Sequence, residues 1–175
     1  MTKKPTSHTS GPLQTSPRGG LQVGHSPSGE KEGGRLLYLS LGSNLGDREE
    51  MLRRAIALIE ERVGTVQRVS SFIETEPWGF ESANPFLNAA VMVQTTLAPL
   101  QCLRKTQQIE RELGRKKKSK GGIYHDRPID IDLLLYGDQT ISTPRLTIPH
   151  PHMFERDFVM IPLREILPSI GEREM

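Results

Sequence analysis

Cysteine is almost absent from this sequence of 175 residues, since Cys102 is the only one. A single cysteine excludes an internal disulfide framework and a cysteine-rich zinc site. Long apolar runs are absent too. No stretch approaches the roughly 18 apolar residues of a membrane span, and the N-terminus lacks the apolar region of a secretory signal. These absences predict a cytoplasmic protein that contacts no membrane.

Surplus charge is absent from most of the chain. Residues 1–34 carry four of the 23 basic and two of the 21 acidic residues, which leaves 19 of each sign in residues 35–175. The net charge of +2 therefore belongs to the N-terminal segment. A neutral remainder argues against a nucleic-acid-binding protein, which usually carries a basic face.

Apolar side chains are scarce in residues 1–34, which hold 7 of the 16 glycines together with many Pro, Ser and Thr residues. Such a segment buries too little apolar surface to offset the entropy lost on ordering. We therefore expect a disordered N-terminal tail over residues 1–34. Residues 35–175 are enough for one domain with its own core.

The apolar pattern of this domain alternates between the strand period of two and the helix period of 3.6. It predicts strands at residues 36–41, 66–75, 86–96 and 129–136. Helices are predicted from a cap at Asn44 or Asp47 to about residue 62, and over residues 98–113. A helical turn is expected near residues 153–156. The order strand–helix–strand–strand–helix–strand predicts a ferredoxin-like α+β sandwich, with helices packed on a mainly antiparallel sheet.

An acidic pair lies in the last of these strands. Asp130 and Asp132 alternate with Ile129 and Ile131, so the carboxylates share one face, with Cα atoms roughly 6.6 Å apart. Two like charges on a sheet repel unless cations lie between them or they face water. Paired hard carboxylates are suited to Mg²⁺ carrying a polyphosphate. An edge strand with a solvated acidic face is the alternative.

A basic, glycine-containing loop precedes this strand, with Arg115 before it and Arg127 after it. Such a loop could close over a triphosphate, and arginine suits phosphate because its planar group donates two hydrogen bonds. A solvated surface loop is the simpler alternative. The sequence GSNLGD at residues 42–47 resembles a phosphate-binding loop but lacks the Walker A spacing, so a cap and turn is the better interpretation.

Trp78, Phe86 and Phe158 are three of the nine aromatic residues; Trp78 lies in a Pro-Gly break and Phe86 follows a proline, so they could line a pocket. Core packing is nearly as good an interpretation for Phe86 and Phe158. Asn88 lies two residues beyond Phe86 on the same strand face and would supply a paired donor and acceptor. Aromatic plates with an amide fit a flat heterocycle. His150, between two prolines, indicates a phosphate or sugar contact rather than zinc.

Five segments occur in order along the chain: GSNLGD, TEPWGFESANPFLNAAV, QQIERELGR, RPIDIDLLLYG and RLTIPHPHMFERDFVMIPL. Together they resemble the 6-hydroxymethyl-7,8-dihydropterin pyrophosphokinase family, and the resemblance spans about residues 35–167. It implies an enzyme of folate synthesis that transfers pyrophosphate from ATP to the hydroxymethyl group of the pterin and releases AMP. We expect a monomer or weak homodimer that binds these two small molecules and no nucleic acid.

The resemblance also implies roles for individual residues. Asp130 and Asp132 would hold two Mg²⁺ ions, and Arg115 and Arg127 would act on the phosphates. The implied ATP contacts are Gln107, Glu110, Lys117, Arg145, His150 and Arg156. The implied pterin contacts are Phe86 and Phe158 as the aromatic pair, Asn88 as the amide, and Thr75 and Trp78 through backbone groups.

Three features depart from the family pattern. The chain has Tyr124-His125-Asp126-Arg127 where Gly-Pro-Arg is usual, and Asp126 could hold Arg127 away from the phosphates until substrate binds. The basic loop is longer than expected, with Lys117 where an arginine is common. Pro151 replaces a larger residue after the histidine. These departures concern loop closure rather than the catalytic assignment.

Two other classes of protein share parts of this pattern. Nucleotidyltransferases of the polymerase-β type also combine Gly-Ser with a pair of aspartates, but there the two motifs lie close together, whereas Gly42 and Asp130 are separated by most of the domain. A ferredoxin-like module that binds RNA should show surplus positive charge, which residues 35–175 lack. Magnesium-dependent stabilisation by ATP would separate the enzyme from the module.

Overall fold

A computed structural model of the chain describes residues 34–76, 84–114 and 128–168. These described residues all belong to one compact unit. The predicted tail lies outside the described residues except for Gly34, so its disorder stays a prediction. Within the three described ranges, no helix is long and apolar enough to cross a membrane.

The central feature is an antiparallel sheet of five strands: β1 (Arg35–Ser43), β2 (Thr65–Val69), β3 (Ile73–Thr75), β4 (Phe86–Thr95) and β5 (Asp130–Tyr136). The strand order is β2-β4-β1-β5, and the short β3 joins the sheet by pairing with β4. The two long strands, β1 and β4, pair along their whole length, which places Arg35 opposite Thr95 and Ser43 opposite Leu87. Because β1 and β4 are central, the residues at their ends are held in a fixed register.

Two helices connect these strands, and a third follows them: α1 (Arg48–Arg62), α2 (Pro99–Glu112) and α3 (Asp157–Ile166). Between β5 and α3 lie a small ribbon of β6 (Ile141–Ser142) and β7 (Thr147–Ile148) and a 3₁₀ turn, Met153–Glu155. The Asp47 side chain caps α1 by accepting from the Glu50 amide at 3.1 Å. Gly114 follows α2 with φ of 101°, a left-handed conformation that favours glycine. The predicted ferredoxin-like α+β order is confirmed.

The prediction of one strand over residues 66–75 is wrong, because the structure divides it into β2 and β3. Ser70 explains the break. Its amide donates to the Ala90 carbonyl oxygen at 2.9 Å, while its Oγ accepts from the Ala90 amide at 2.8 Å. A side-chain oxygen thus takes the place of a backbone carbonyl in the ladder. The pairing register with β4 shifts at this point: Val69 of β2 lies opposite Val91, whereas Ile73 of β3 lies opposite Asn88.

Both faces of the sheet are covered by apolar clusters. On one face α1 and α2 pack on Leu37, Leu39 and Leu41 of β1, each fully buried, and burial of a leucine contributes about 1.5–3 kcal/mol. On the other face α3 packs on Tyr38 and on its neighbours in the sheet. Ser40 and Gly42 continue the Tyr38 face of β1, beyond that second cluster. This end of the face carries the polar residues described next.

Candidate active site

Asp130 and Asp132 lie at the start of β5, opposite Gly42 and Ser40 of β1. Both are half-buried, whereas the alternating Ile129 and Ile131 are buried among the side chains under α1 and α2. The two carboxylates therefore project from the face of the sheet opposite to the α1 and α2 core. This is the common face that the strand pattern predicted.

Glu110, on α2, contributes to the position of this strand. It is buried, and its Oε2 accepts a hydrogen bond from the Ile131 amide at 3.1 Å. Ile131, between the two aspartates, is thus hydrogen-bonded to α2, which packs on the sheet face opposite to the two carboxylates. Glu110 was predicted as an ATP contact; the structure places its carboxylate against the β5 backbone.

A pocket of about 300 Å³ lies beside Asp132, between α2, β5 and the β6–β7 ribbon with the residues just after it. Three predicted ATP contacts, Gln107, Arg145 and His150, line it together with Asp132. They come from separate parts of the chain, and the fold brings them to one cavity. Leu103 and Leu133 supply apolar wall, so the pocket combines apolar surface with a few polar groups, as small-molecule sites do.

His150 is held in this wall by its own backbone. Its amide donates to the Leu134 carbonyl oxygen at 3.0 Å, and a cis peptide bond joins Ile148 to Pro149 just before it. Its Nδ1 accepts from the His152 amide at 3.4 Å. Pro151, one of the departures from the family pattern, also lines the pocket.

Asn88 lies on the same face of the sheet as the acidic pair, since both Asn88 and Asp130 are opposite Gly42. It is 3% exposed, and its Nδ2 donates to Thr75 Oγ1 at 2.6 Å. Thr75 in turn is opposite Phe86 in the β3–β4 pair. The structure thus joins three of the predicted pterin contacts, Thr75, Phe86 and Asn88, in one cluster.

Gly42 is the residue of this cluster that the sequence analysis missed. A Cβ at position 42 would lie 3.1 Å from Asn88 Oδ1 and 3.4 Å from Phe86 Cδ1, so a side chain there would press on both. The glycine was interpreted as part of a turn, but it lies within β1. A glycine inside a strand pattern often indicates the close approach of another group, and that signal was available.

Arg156 and Phe158 lie together at the start of α3. The Arg156 guanidinium carbon is 5.7 Å from the centroid of the Phe158 ring, within the range of a cation–π contact. Arg156 is buried, and Phe158 packs partly against the α3 cluster. Neither is among the residues that line the 300 Å³ pocket. The interpretation of Phe158 as core is therefore partly correct, and its predicted contact with the pterin stays a prediction.

Four predicted site residues lie outside the described residues: Trp78, Arg115, Lys117 and Arg127. Their roles stay predictions, as does the effect of the unusual sequence at residues 124–127. Cys102, by contrast, is described. It lies buried near the start of α2, and burial raises the pKa of its thiol, so it stays protonated and is no candidate nucleophile.

The donor set fits magnesium. In the part of the chain that the structure describes, no group of three or more His, Cys, Asp or Glu side chains could hold a metal ion by itself. Two half-buried carboxylates remain, Asp130 and Asp132. Mg²⁺ is commonly held by one or two carboxylates plus the phosphates of a substrate, so the pair is sufficient only when a polyphosphate completes the site.

A second, larger groove of about 770 Å³ lies between α1 and the β2–β3 connection. Arg53, Phe72 and Leu87 are among the residues that line it, and the Arg53 guanidinium carbon lies 5.5 Å from the centroid of the Phe72 ring. No predicted site residue lines this groove. The candidate site is therefore the end of the opposite face, around Gly42.

The fold and this polar end define the class of the protein, a ferredoxin-like α+β domain with a candidate small-molecule site at one end of its sheet. Comparison with known proteins gives the family. The model of the 7,8-dihydro-6-hydroxymethylpterin-pyrophosphokinase (HPPK) family matches residues 38–168. The chain belongs to this family.

Curated relatives agree with this assignment. The chain is 54% identical over 134 residues to the 2-amino-4-hydroxy-6-hydroxymethyldihydropteridine pyrophosphokinase of Porphyromonas gingivalis. This alignment covers 76% of this chain and 91% of the relative. It is 46% identical over 136 residues to the enzyme of the same name from Bacillus subtilis, covering 77% of this chain and 80% of that one.

Solved structures support the fold alone, because their sequence identity is low. Plasmodium falciparum HPPK-DHPS, wild type with pterin and p-hydroxybenzoate, aligns with a TM-score of 0.58 at 17% identity, over 77% of this chain and 38% of that chain. The structure of the wild-type Plasmodium falciparum HPPK-DHPS with SDX-DHP aligns with a TM-score of 0.59 at 18% identity, over 77% of this chain and 40% of that chain. The chain thus spans about two fifths of these longer proteins.

Proposed function

We propose that the acidic pair, the 300 Å³ pocket and the Asn88 cluster form one active site. With it, this pyrophosphokinase transfers pyrophosphate from ATP to the hydroxymethyl group of 6-hydroxymethyl-7,8-dihydropterin, giving the pterin diphosphate and AMP in folate biosynthesis. Membership of the family supports this activity. The observation that carries the site assignment is the pocket, because it unites Gln107, Arg145 and His150 with Asp132.

The pocket binds the nucleoside end of ATP. Leu103 and Leu133 provide apolar wall for the base, while Gln107 and His150 offer hydrogen bonds to the base or ribose. Arg145 adds a cation for the phosphates. The β- and γ-phosphates then extend toward Asp132, which lines the pocket from β5. Arg156 and Lys117 are proposed as further phosphate contacts.

Asp130 and Asp132 would hold magnesium, two ions in our proposal, on the phosphate chain. The bound metal supplies neutralisation of the phosphate charge and a fixed orientation of the β-phosphorus. The two carboxylates meet the requirement for such a site because they lie on a strand whose backbone is hydrogen-bonded to Glu110. A rigid pair loses little entropy when it binds the metal and nucleotide together.

At the pterin end, Asn88 would bind the polar edge of the heterocycle with its amide, which Thr75 orients through the 2.6 Å hydrogen bond. Phe86 and Phe158 would stack on its two faces, and backbone groups near Thr75 and Trp78 would complete recognition. Asn88 of β4 and Asp130 of β5 both lie opposite Gly42 of the intervening β1, so these residues would hold the pterin edge and the phosphates on the two strands that flank β1.

The transfer step follows from this arrangement. The hydroxyl oxygen of the pterin attacks the β-phosphorus, the bond from that phosphorus to the oxygen bridging to the α-phosphorus breaks, and AMP leaves with the bridging oxygen. The hydroxyl proton passes to solvent. Arg115 and Arg127 are proposed to stabilise the charge that develops on the phosphates. Positioning and electrostatics account for the catalysis, so no side-chain base is assigned.

The position of the β-phosphate of ATP after the reaction distinguishes pyrophosphate transfer from ordinary phosphate transfer. ATP labelled with ³²P at the β-phosphate is incubated with Mg²⁺ and 6-hydroxymethyl-7,8-dihydropterin, and the products are separated. We expect the label in the pterin product, with unlabelled AMP formed only when pterin is present. Label retained in ADP would indicate an ordinary kinase, and no turnover would favour a binding module; either outcome contradicts the proposal. The cytoplasmic location and the monomeric or weakly dimeric state stay predictions.

A further inference from the structure

Arg48, the first residue of α1, contacts both β3 and the residue directly before β4. Its Nη1 donates to the Pro85 carbonyl oxygen at 2.8 Å, and its Nη2 donates to Glu74 Oε2 at 2.9 Å. The Arg48 side chain is 27% exposed. One planar group thus makes two charge-assisted hydrogen bonds, to a carboxylate of β3 and to the residue directly before β4.

These two contacts adjoin the residues of the pterin end. Glu74 precedes Thr75, Pro85 precedes Phe86, and Thr75 is opposite Phe86 in the β3–β4 pair. Thr75 Oγ1 also accepts the hydrogen bond that orients the Asn88 amide. A displacement of β3 relative to β4 would therefore change the Thr75–Asn88 distance and the position of the Phe86 ring together.

Strand β3 is too short to be held in place by its pairing with β4 alone. It has three residues and pairs only with β4 in the described part of the sheet, so few ladder hydrogen bonds hold it in place. Its position must come from tertiary contacts as well. Asn44, in the connection just before α1, adds a contact on the β4 side, since its Nδ2 donates to the Asn84 carbonyl oxygen at 3.3 Å.

We propose that Arg48 is a positioning residue for pterin binding, which fixes β3 against β4 so that Thr75, Asn88 and Phe86 keep the geometry that recognises the heterocycle. The proposal rests on the proposed function. Arg48 does not contact the ATP pocket, whose walls come from α2, β5 and the segment after β5. Loss of the Arg48 side chain should therefore weaken pterin binding more than ATP binding.

The test compares Arg48→Met with Arg62→Met. Arg62 is a matched control: it lies on the same helix, its side chain is 24% exposed, and its Nη1 is 2.6 Å from Glu112 Oε2, yet it faces α2 rather than the β3–β4 connection. We measure KM for pterin and for ATP, kcat and the melting temperature of each variant. Arg48→Met should raise KM for pterin about tenfold, the loss expected for a charge-assisted contact of about 1.4 kcal/mol, with KM for ATP within about twofold of wild type.

Two variants of Glu74 keep the test informative should Arg48→Met fail to fold. Glu74→Gln retains an acceptor for Arg48 and should stay close to wild type, whereas Glu74→Ala removes one of the two contacts and should raise KM for pterin severalfold. A loss shared equally by both substrates, or equal values for the Arg48 and Arg62 variants, would overturn the role of Arg48 alone. A wild-type protein without pterin-dependent turnover would overturn the proposed function and this role with it.

Discussion

Gly42 lies directly opposite Asn88 in the β1–β4 pair, so close that a Cβ at position 42 would be 3.1 Å from Asn88 Oδ1. On its other side Gly42 is opposite Asp130 of β5. The absence of a side chain at this central position gives the Asn88 amide and the Phe86 ring their room. Asn88 is also separated from the acidic pair by this residue without a side chain.

Substitution of Gly42 by alanine should therefore weaken pterin binding selectively. The new methyl group would press on Asn88 Oδ1 and on the Phe86 ring, while the walls of the nucleotide pocket stay unchanged. We expect about a tenfold loss of pterin affinity, corresponding to about 1.4 kcal/mol. Affinity for ATP with Mg²⁺, measured by titration calorimetry on the same variant, serves as the internal control. An unchanged pterin affinity would show that the close approach at Gly42 has no functional role.

The proposed nucleotide pocket predicts the opposite selectivity for His150: its loss should weaken ATP binding and leave pterin binding unchanged. Its side chain lines the cavity, so His150→Ala should lower ATP affinity about tenfold through the loss of one hydrogen bond and part of the wall, with pterin affinity unchanged.

His152→Ala is the matched control for that variant. His152 lies two residues further on, its side chain is 53% exposed and 3.5 Å from the Glu155 carboxylate, and it does not line the pocket. Its backbone amide, which donates to His150, is retained in the variant. Equal loss of ATP affinity in the two variants would contradict the assignment of the pocket.

Glu165 predicts a pH dependence of stability. Its carboxylate accepts from the Ser71 amide at 2.8 Å and from Ser71 Oγ at 2.6 Å, and these two hydrogen bonds hold its pKa below the ordinary value of 4.5. A lowered pKa in the folded state stabilises the fold above pH 4.5, and this contribution is lost as the pH falls through the folded-state pKa.

Thermal unfolding of the wild type and of Glu165→Gln between pH 7 and pH 3 measures this effect. The difference between the two melting temperatures removes the contribution of the other carboxylates. We expect the wild type to be more stable at pH 7 and the difference to shrink below about pH 4.5. A difference that is constant over this range would show that ionisation of Glu165 does not stabilise the fold.

Much of this fold is local in origin and was therefore predictable. The periodic apolar residues, the Asp47 cap and the glycine after α2 fix most of the helix and strand ends to within a few residues. The alternation around Asp130 and Asp132 likewise predicts their common face. Such features depend on neighbours along the chain, and a sequence contains that information directly.

The features that were missed depend on distant partners. The break between β2 and β3 arises because Ser70 replaces a backbone acceptor for Ala90, which lies on another strand. The role of Gly42 depends on the register with Asn88, and the position of Glu110 depends on α2 packing behind β5. These relationships require the sheet order, and periodicity alone does not supply it.

The acidic pair carries the central claim, and Asp132→Asn tests it most directly. Asp138→Asn is the control, because Asp138 lies just beyond the same strand and its side chain is 99% exposed. Pterin-dependent AMP release is measured at saturating ATP and Mg²⁺, together with the melting temperature without metal. We predict that Asp132→Asn loses about a thousandfold or more of the rate while staying as stable as wild type, and that Asp138→Asn keeps both. An Asp132→Asn variant that releases AMP at the wild-type rate would contradict the assignment of the metal site and of the active site built around it.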